Sequence, residues 1–266
     1  MQKISILGCG WLGLPLAIEL ISKGFSVKGS TTTPHKIKEL ESKKIIGSQI
    51  ELFPDSIVGD ISGFLKDSDV LILDIPPKAK SENITNFTEK LKILKPFIEA
   101  SSIRNVLFTS SISVYGNQRG IITEDIHLLP ETANGKQLVS AEQILTNSAA
   151  YKTTVVRFGG LTSSDRHPVY HLAGKTDLPD PNAPINLIHR DDCIGILISI
   201  IQQDAWGEVF NAVAPSHPSR IDYYQAKSLE FNLPEPKFSA IGNAGKTVSS
   251  EKLIAKLGYT FIHPEP

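Results

Sequence analysis

The chain has 266 residues, of which 41% are hydrophobic, so it can bury the core of one large α/β domain or of two closely packed lobes. Its net charge is −1 and its longest basic run is Lys43-Lys44, which argues against nucleic acid and anionic membranes as partners. Cys9 and Cys193 are its two cysteines, no apolar run reaches membrane-spanning length, and the first strand is predicted to begin at residue 3 or 4; we therefore expect reduced thiols and a cytoplasmic location.

The first predicted strand, Ile4 to Leu7, runs directly into a turn with the spacing GxGxxG. In dinucleotide-binding turns the first glycine makes the tight turn, the second lets the backbone approach a diphosphate, and the third packs the helix on its strand. A helix is predicted over Leu16 to Lys23, and the free N–H groups where it begins favour phosphate binding. The pattern predicts a nucleotide site formed by Gly8, Gly10, Trp11, Leu12 and Gly13.

Apolar segments then alternate with helical patterns along the chain. Strands are predicted at Phe25–Gly29, Ser48–Leu52, Val70–Ile75, Val106–Thr109, Thr154–Phe158 and Val209–Val213. Helices are predicted at Asn83–Ala100, with an interruption at Pro96, and at Lys136–Ser148, Asp192–Ile201 and 222–232. The strands at 70–75 and 105–109 are continuously apolar, which indicates a parallel sheet covered on both faces. We predict an α/β fold with a Rossmann-type doubly wound parallel sheet and a smaller C-terminal substrate lobe.

The division between these lobes follows a change in composition. Residues 162–186 are rich in proline and polar residues, which is typical of a loop at the mouth of a substrate site. We predict that residues 1–160 form an NAD(P)-binding domain, to which residues 186–213 return. Residues 161–185 and 214–266 are predicted to form the small substrate-binding lobe, with the site in the cleft between the two.

The end of the second strand bears on the choice of coenzyme. Proteins that select NAD place a carboxylate there for the ribose hydroxyls, and none occurs between residues 26 and 38. The side chains of Ser30, Thr31, Thr32 and Lys36 favour a 2′-phosphate, so NADP is predicted over NAD. Ile75, Pro76 and Pro77 end the fourth strand, either beside the coenzyme or simply as a strand stop.

The segment Phe108 to Gly116, FTSSISVYG, resembles the SSxxVYG signature of extended short-chain dehydrogenases/reductases, the NAD-dependent epimerase/dehydratase family. Further matches follow in the family's order, at 157–161 with 166–168, at 186–192, at 207–211, and at Lys246 with 257–259. The resemblance covers nearly the whole chain. It implies an NAD(P) coenzyme contacted by Ser110 among others, and chemistry on a carbonyl or sugar-nucleotide-like substrate.

The YxxxK catalytic pair of that family is missing. Aligning its helical glutamate with Glu142 puts Asn134 at the tyrosine position and Leu138 at the lysine position. Asparagine cannot transfer a proton, and leucine cannot supply the charge that lowers a tyrosine pKa. Lys136 lies about 200° around the helix from Leu138; it is either a displaced catalytic lysine or a solvated one.

The other candidate catalytic and substrate-binding residues also have two interpretations each. Ser111 matches the family's catalytic serine or satisfies local backbone, and Tyr115 is a replacement acid or a packing aromatic. Arg166, His167 and Lys175 bind an anionic substrate or lie in a solvated loop. The chain has no HExxH and no paired CxxC motif, so no metal site is predicted.

The leading hypothesis is an NADP-dependent oxidoreductase on a small carbonyl or sugar-nucleotide-like substrate, with a non-standard proton donor. One alternative is a catalytically inactive NAD(P)-binding sensor. Another is a dehydrogenase from an unrelated Rossmann family, which would lack the late return of His189 to Asp192 to the sheet. A homodimer is left open.

Overall fold

The computed structural model describes residues 2–77, 86–240, 242 and 244–266. Its strands are β1 Lys3–Leu7, β2 Ser26–Thr31, β3 Ile46–Gln49, β4 Glu51–Leu52, β5 Ile57–Val58, β6 Val70–Leu73, β7 Asn105–Ser111, β8 Gly120–Ile122, β9 Lys152–Phe158, β10 Gly160–Thr162, β11 Leu187–His189, β12 Val209–Ala212 and β13 Lys246–Val248. Its α-helices are α1 Gly13–Ser22, α2 Ile37–Ser42, α3 Ile61–Leu65, α4 Asn86–Glu99, α5 Ala133–Thr146, α6 Val169–Leu172, α7 Arg190–Gln202, α8 Arg220–Glu230 and α9 Glu251–Leu257, with 3₁₀ turns at Pro34–Lys36 and Ile112–Tyr115.

Strands β12, β9, β7, β6, β1, β2 and β3 form, in that order, one parallel sheet. Strand order reverses between β1 and β6, so the ends of these strands open a crevice where ligands of doubly wound sheets bind. The predicted fold class is therefore confirmed.

Two apolar cores cover the two faces of this sheet. On one face, α1 and α7 pack on the sheet, with Leu16, Leu20 and Ile196 fully buried. On the other, α3, α4 and α5 pack, with Leu91 and Leu145 fully buried. This burial explains why the strands are apolar on both sides.

A third core lies outside the sheet. It combines Val169 of α6, Ile185, Leu187, and Tyr223 and Tyr224 of α8. The predicted small lobe also included all of 214–266, whereas Leu253 and Leu257 of α9 and the following Phe261 belong to the core on the α1 face of the sheet.

Two predicted elements differ from the structure. The strand expected over Ser48–Leu52 is divided into β3, in the main sheet, and β4, which pairs antiparallel with β5. Helix α4 continues through Pro96, because its buried residues, Leu94 and Ile98 among them, hold the helix on the sheet although proline donates no hydrogen bond. The first residues of this predicted helix, 83–85, lie outside the described residues.

Along the part of the chain that the structure describes, we find no helix long and apolar enough to cross a membrane.

Candidate coenzyme and substrate site

Two adjoining cavities open where the strands of the sheet end. The first cavity, of about 430 Å³, is lined by Leu7, Gly8, Ser30, Thr31, Thr32, Ile50, Glu51, Leu52, Ile75, Pro76, Phe87, Lys90 and Gln137. The second cavity, of about 390 Å³, is lined by Gly10, Trp11, Leu12, Asp74, Ile75, Pro76, Pro77, Thr109, Ser110, Ser111, Leu138, Phe158, Gly159, Leu161 and Arg166. Because both include Ile75 and Pro76, an elongated ligand can extend from one into the other.

The glycine turn lies where the two cavities meet. Gly8 has a φ of +110°, and a Cβ there would lie 2.3 Å from the Asp74 carbonyl oxygen; a Cβ at Gly13 would lie 2.1 Å from the Gly8 carbonyl oxygen. A Cβ at Gly10, by contrast, would meet no atom of the described residues within 4 Å. The packing of the backbone therefore requires glycine at positions 8 and 13, whereas the absence of a side chain at Gly10 leaves space for a ligand.

Helix α1 begins at this turn without a capping side chain. Leu12 at its N-cap makes no side-chain hydrogen bond, and its first turn contains no acidic residue. The N–H of Gly13 is accepted by Asp74, and the neighbouring N–H groups at the positive end of the helix dipole are where an anion can bind. Trp11 beside it carries two guanidinium groups over its ring, from Arg166 at 5.0 Å and from Arg190 at 4.9 Å. Arg190 also pairs with Asp165 at 3.4 Å, so Arg166, which lines the second cavity, is the cation that this end presents to a ligand.

Asp74 lies beneath the glycine turn and was not singled out from the sequence. Its carboxylate lies 3.1 Å from the hydroxyl of Thr109 and also accepts the N–H of Gly13. Burial raises the pKa of Asp74 from 3.8 to about 6, although both hydrogen bonds oppose the shift. The sequence did contain a signal for Asp74: it is a carboxylate directly after the apolar strand β6, at the sheet edge where ligands bind.

The residues proposed to select the coenzyme divide into three roles. The hydroxyl of Ser30 is buried and accepts the N–H of Gly8 at 2.9 Å, so it supports the turn. Thr31 and Thr32 line the first cavity. Lys36 is exposed and is not among the lining residues, whereas Glu51 of β4, which sequence reasoning missed, lines the same cavity. The cavity therefore contains a carboxylate after all, contributed by a different strand.

The two serines that end β7 both line the second cavity. The Ser110 hydroxyl donates to Glu142 Oε1 at 2.6 Å and is buried. Ser111 is half-buried, and its oxygen also accepts the N–H of Ser113 at 3.2 Å. Ser111 is thus the predicted catalytic residue that is placed to reach a ligand.

Tyr115 does not line either cavity. It is fully buried, donates to Asn211 Oδ1 at 2.7 Å and accepts from Arg157 Nη1 at 2.8 Å. Burial raises the pKa of its phenol, and Arg157 only partly offsets this. Arg157 in turn pairs with Glu142, at 2.7 Å between Nη2 and Oε2. These bonds make Tyr115 part of a buried network and contradict its interpretation as a replacement acid.

Helix α5 presents to the second cavity the position where the family has its lysine. Leu138 occupies it and lines the cavity, whereas Lys136 is exposed and lines neither cavity. The buried Oδ1 of Asn134, at the tyrosine position, has no hydrogen-bond partner among the residues that the structure describes. The structure therefore does not bring Lys136 to the site.

The three residues predicted to bind substrate are separated from one another. Arg166 is exposed and lines the second cavity. His167 is buried in the small lobe, where its Nδ1 accepts the N–H of Val169 and its Nε2 lies 2.8 Å from the Tyr223 hydroxyl. Burial also lowers the pKa of His167 to about 4. Its position contradicts a role in binding substrate, and the exposed Lys175 lines neither cavity.

No family model matches the chain. Protein YeeZ of Escherichia coli strain K12 is 31% identical over 269 residues, which cover 100% of this chain and 98% of that protein. The chain belongs to the family of protein YeeZ.

Solved structures of other proteins have a similar fold. A putative NAD-dependent epimerase/dehydratase from Methylobacillus flagellatus is 25% identical and superposes with a TM-score of 0.78, over 99% of this chain and 94% of that one. UDP-glucuronic acid 4-epimerase from Bacillus cereus, in complex with NAD, has a TM-score of 0.81 at 18% identity, over 97% and 91% of the two chains. The predicted resemblance to the NAD-dependent epimerase/dehydratase family is thereby confirmed.

The late return to the sheet is present. Strand β11 pairs with β10, α7 packs on the sheet face, and β12 joins β9 at the sheet edge. A dehydrogenase of an unrelated Rossmann family was predicted to lack this return, so the structure contradicts that alternative.

Proposed function

We propose that the chain binds NAD(P) across the two cavities, with the diphosphate on the amide groups at the start of α1. The observation that carries this proposal is the contrast among the three glycines. Backbone atoms of the chain occupy the position of a Cβ at Gly8 and at Gly13, whereas a Cβ at Gly10 would meet none of the described residues. A similarly folded epimerase was crystallised with NAD, which supports the same group here. We further propose that residues 1–160 with 186–213 hold the coenzyme and that the small lobe, 161–185 with the part of 214–266 that precedes α9, covers the substrate.

A titration of the protein with NADPH tests this proposal. Gly10 does not have a positive φ, so Gly10→Ala should leave the melting temperature of the ligand-free protein unchanged. Its methyl group would occupy the approach of the diphosphate, and we expect the affinity for NADPH to fall by more than about tenfold. Equal affinity in the two proteins, or no binding by the wild type, would contradict the proposal.

For the reaction, we propose an oxidoreductase on a carbonyl or sugar-nucleotide-like substrate. The bound coenzyme would supply or accept the hydride. Ser111 would hydrogen-bond the reacting oxygen, and Arg166 would pair with an anionic group of the substrate. Asp74 is the acidic side chain among the described residues that line the second cavity, and a pKa near 6 suits proton exchange close to neutral pH. We assign it the role of the non-standard proton donor.

The assignment of Asp74 is tested separately from coenzyme binding. In a panel of carbonyl substrates, Asp74→Asn and Ser111→Ala should each lower kcat by about a hundredfold or more, because each removes a group that acts on the reacting oxygen. The dissociation constant for NADPH should remain within a few-fold of the wild-type value. Turnover by Asp74→Asn at the wild-type rate would refute its role.

A coenzyme sensor is the second candidate, and the side chain of Leu138 in the second cavity favours it. An apolar residue stands there in place of the charge that the superfamily resemblance implies. A sensor would bind NADPH, discriminate it from NADP, and oxidise it with no member of the panel. Turnover that depends on Asp74 excludes this candidate.

The preference for NADP over NAD is also proposed. Thr31 and Thr32 line the first cavity and β2 ends without a carboxylate, which favours a 2′-phosphate. The negative charge of Glu51 disfavours a 2′-phosphate in this cavity, so the preference for NADP should depend on the charge at residue 51.

A further inference from the structure

A cluster of three potential metal ligands lies apart from the two cavities. His189 ends β11, Asp191 lies in the first turn of α7, and His263 follows α9. One ligand atom from each lies within 4.8 Å of the other two. Neither the glycine turn nor the proposed substrate site includes any of them, so the cluster has no part in the function proposed above.

Two of the three separations within the cluster match those around one small ion. Asp191 Oδ2 lies 3.4 Å from His189 Nδ1 and 3.2 Å from His263 Nε2. Tetrahedral zinc binds nitrogen and oxygen at about 2.0–2.1 Å, which puts neighbouring ligand atoms about 3.3 Å apart. The carboxylate oxygen is therefore at the spacing from each imidazole that a shared ion requires.

The segment that carries His263 is held beside the start of α7 by groups other than the three ligands. The buried carboxylate of Asp192 accepts the N–H of Ile262 at 2.7 Å and of His263 at 3.0 Å, and it accepts the Tyr259 hydroxyl at 3.0 Å. These bonds hold the segment after α9 against the start of α7. The imidazoles of His189 and His263 consequently pack with ring centroids 3.8 Å apart. The three side chains are thus close together before an ion binds, but the two rings must turn toward the ion and His189 Nδ1 must release the N–H of Asp191.

We propose that His189, Asp191 and His263 form a zinc-class metal site that links the segment after α9 to the start of α7. Two imidazoles and one carboxylate form a ligand set that binds Zn²⁺ in other proteins, and they leave a fourth position for water or an external ligand. The cluster is open to ions from solution, since the side chains of Asp191 and His263 are 50% and 38% exposed. Binding at His189 Nδ1 would displace the N–H of Asp191, which this nitrogen accepts at 3.2 Å.

Zinc binding to the full chain, purified without a histidine tag, tests the site. Competition against a chromophoric chelator should show one equivalent of Zn²⁺ bound, and Co²⁺ in its place should give the visible spectrum of a protein-bound ion. His263→Ala removes one ligand and should weaken Zn²⁺ by more than about tenfold. His127→Ala, which removes an exposed imidazole from another part of the chain, should bind as the wild type does.

Asp191→Asn provides a second ligand variant that keeps the size of the side chain, and circular dichroism of both variants establishes that they fold. Zinc should raise the melting temperature of the wild type and of His127→Ala but not of the two ligand variants. Failure of the wild type to bind one equivalent, unchanged affinity in His263→Ala, or equal losses in His263→Ala and His127→Ala would each overturn the proposal. No coenzyme is used in these measurements, so their outcome is independent of the NAD(P) proposal.

Discussion

Replacing Asp74 by asparagine should stabilise the protein, and more so as the pH rises. Burial raises the pKa of Asp74 from 3.8 to about 6, so the native state holds its proton over a pH range where the unfolded chain has lost it. The native state therefore loses stability between about pH 4 and pH 6 as the carboxyl is forced to ionise. At 1.36 kcal/mol for each pKa unit, the full cost above pH 7 is about 3 kcal/mol.

The amide that Asp74→Asn introduces resembles the neutral acid and avoids this cost. We expect the free energy of unfolding of the variant to exceed that of the wild type by about 1 kcal/mol at pH 4.5 and by about 3 kcal/mol above pH 7. The difference between the proteins must be measured, because His167 acts in the opposite direction. Its pKa is lowered to about 4, so its contribution to stability is lost as the pH falls from about 6.5 to 4.

Urea unfolding of both proteins from pH 4.5 to 8 measures this difference, since the midpoint and slope give the free energy at each pH. Asp55→Asn is the matched control: it makes the same change at an exposed aspartate and should alter the free energy of unfolding by no more than about 0.5 kcal/mol. A pH-independent difference for Asp74→Asn, or a loss of stability that grows with pH, would refute the conclusion that burial dominates at Asp74.

Three further predictions follow from the geometry of the site and the core. Arg157→Met leaves the Glu142 carboxylate buried without the cation that pairs with it and should lower the free energy of unfolding in urea by about 3–5 kcal/mol. Lys92→Met is the control, because it breaks an exposed ion pair and should lower the free energy of unfolding by no more than about 1 kcal/mol. Equal losses would contradict the assignment of a buried network. Glu51→Gln removes a negative charge from the first cavity, so the affinity for NADPH should rise relative to that for NADH, and an unchanged ratio in calorimetric titrations would place the 2′-phosphate elsewhere. Gly13→Ala puts a Cβ 2.1 Å from the Gly8 carbonyl oxygen and should lower the melting temperature of the ligand-free protein, unlike the substitution at Gly10; a wild-type melting temperature would show that the turn can yield.

The sequence predicted the sheet well because its signals are local. Strand β1, the glycine turn and α1 follow one another within 20 residues, and each is specified by its own residues. The division of Ser48–Leu52 into β3 and β4 could not be predicted, since it depends on pairing with two different partners, β2 and β5. Neither pairing can be recognised from the hydrophobic pattern of residues 48–52.

The sequence indicated residues that line the cavities where they follow a single strand, and it missed contacts between residues that lie far apart along the chain. His167 stands in a polar, proline-rich segment, which indicated exposure, but its ring is buried against Tyr223, 56 residues further on. Tyr115 matches a motif that implies a place near the substrate, yet Arg157 and Asn211 occupy its hydroxyl. The cluster of His189, Asp191 and His263 depends on a contact across 72 residues. Such contacts are set by the packing of the fold and not by spacing in the sequence.

A crystal structure of the protein grown with saturating NADP tests the central claim most directly. We predict the diphosphate against Gly10, within hydrogen-bond distance of backbone N–H groups at the start of α1, and the two ends of the coenzyme in the two cavities. A structure in which the side chain of Trp11 or Leu12 fills that position, with no coenzyme bound at the glycine turn, would contradict the account.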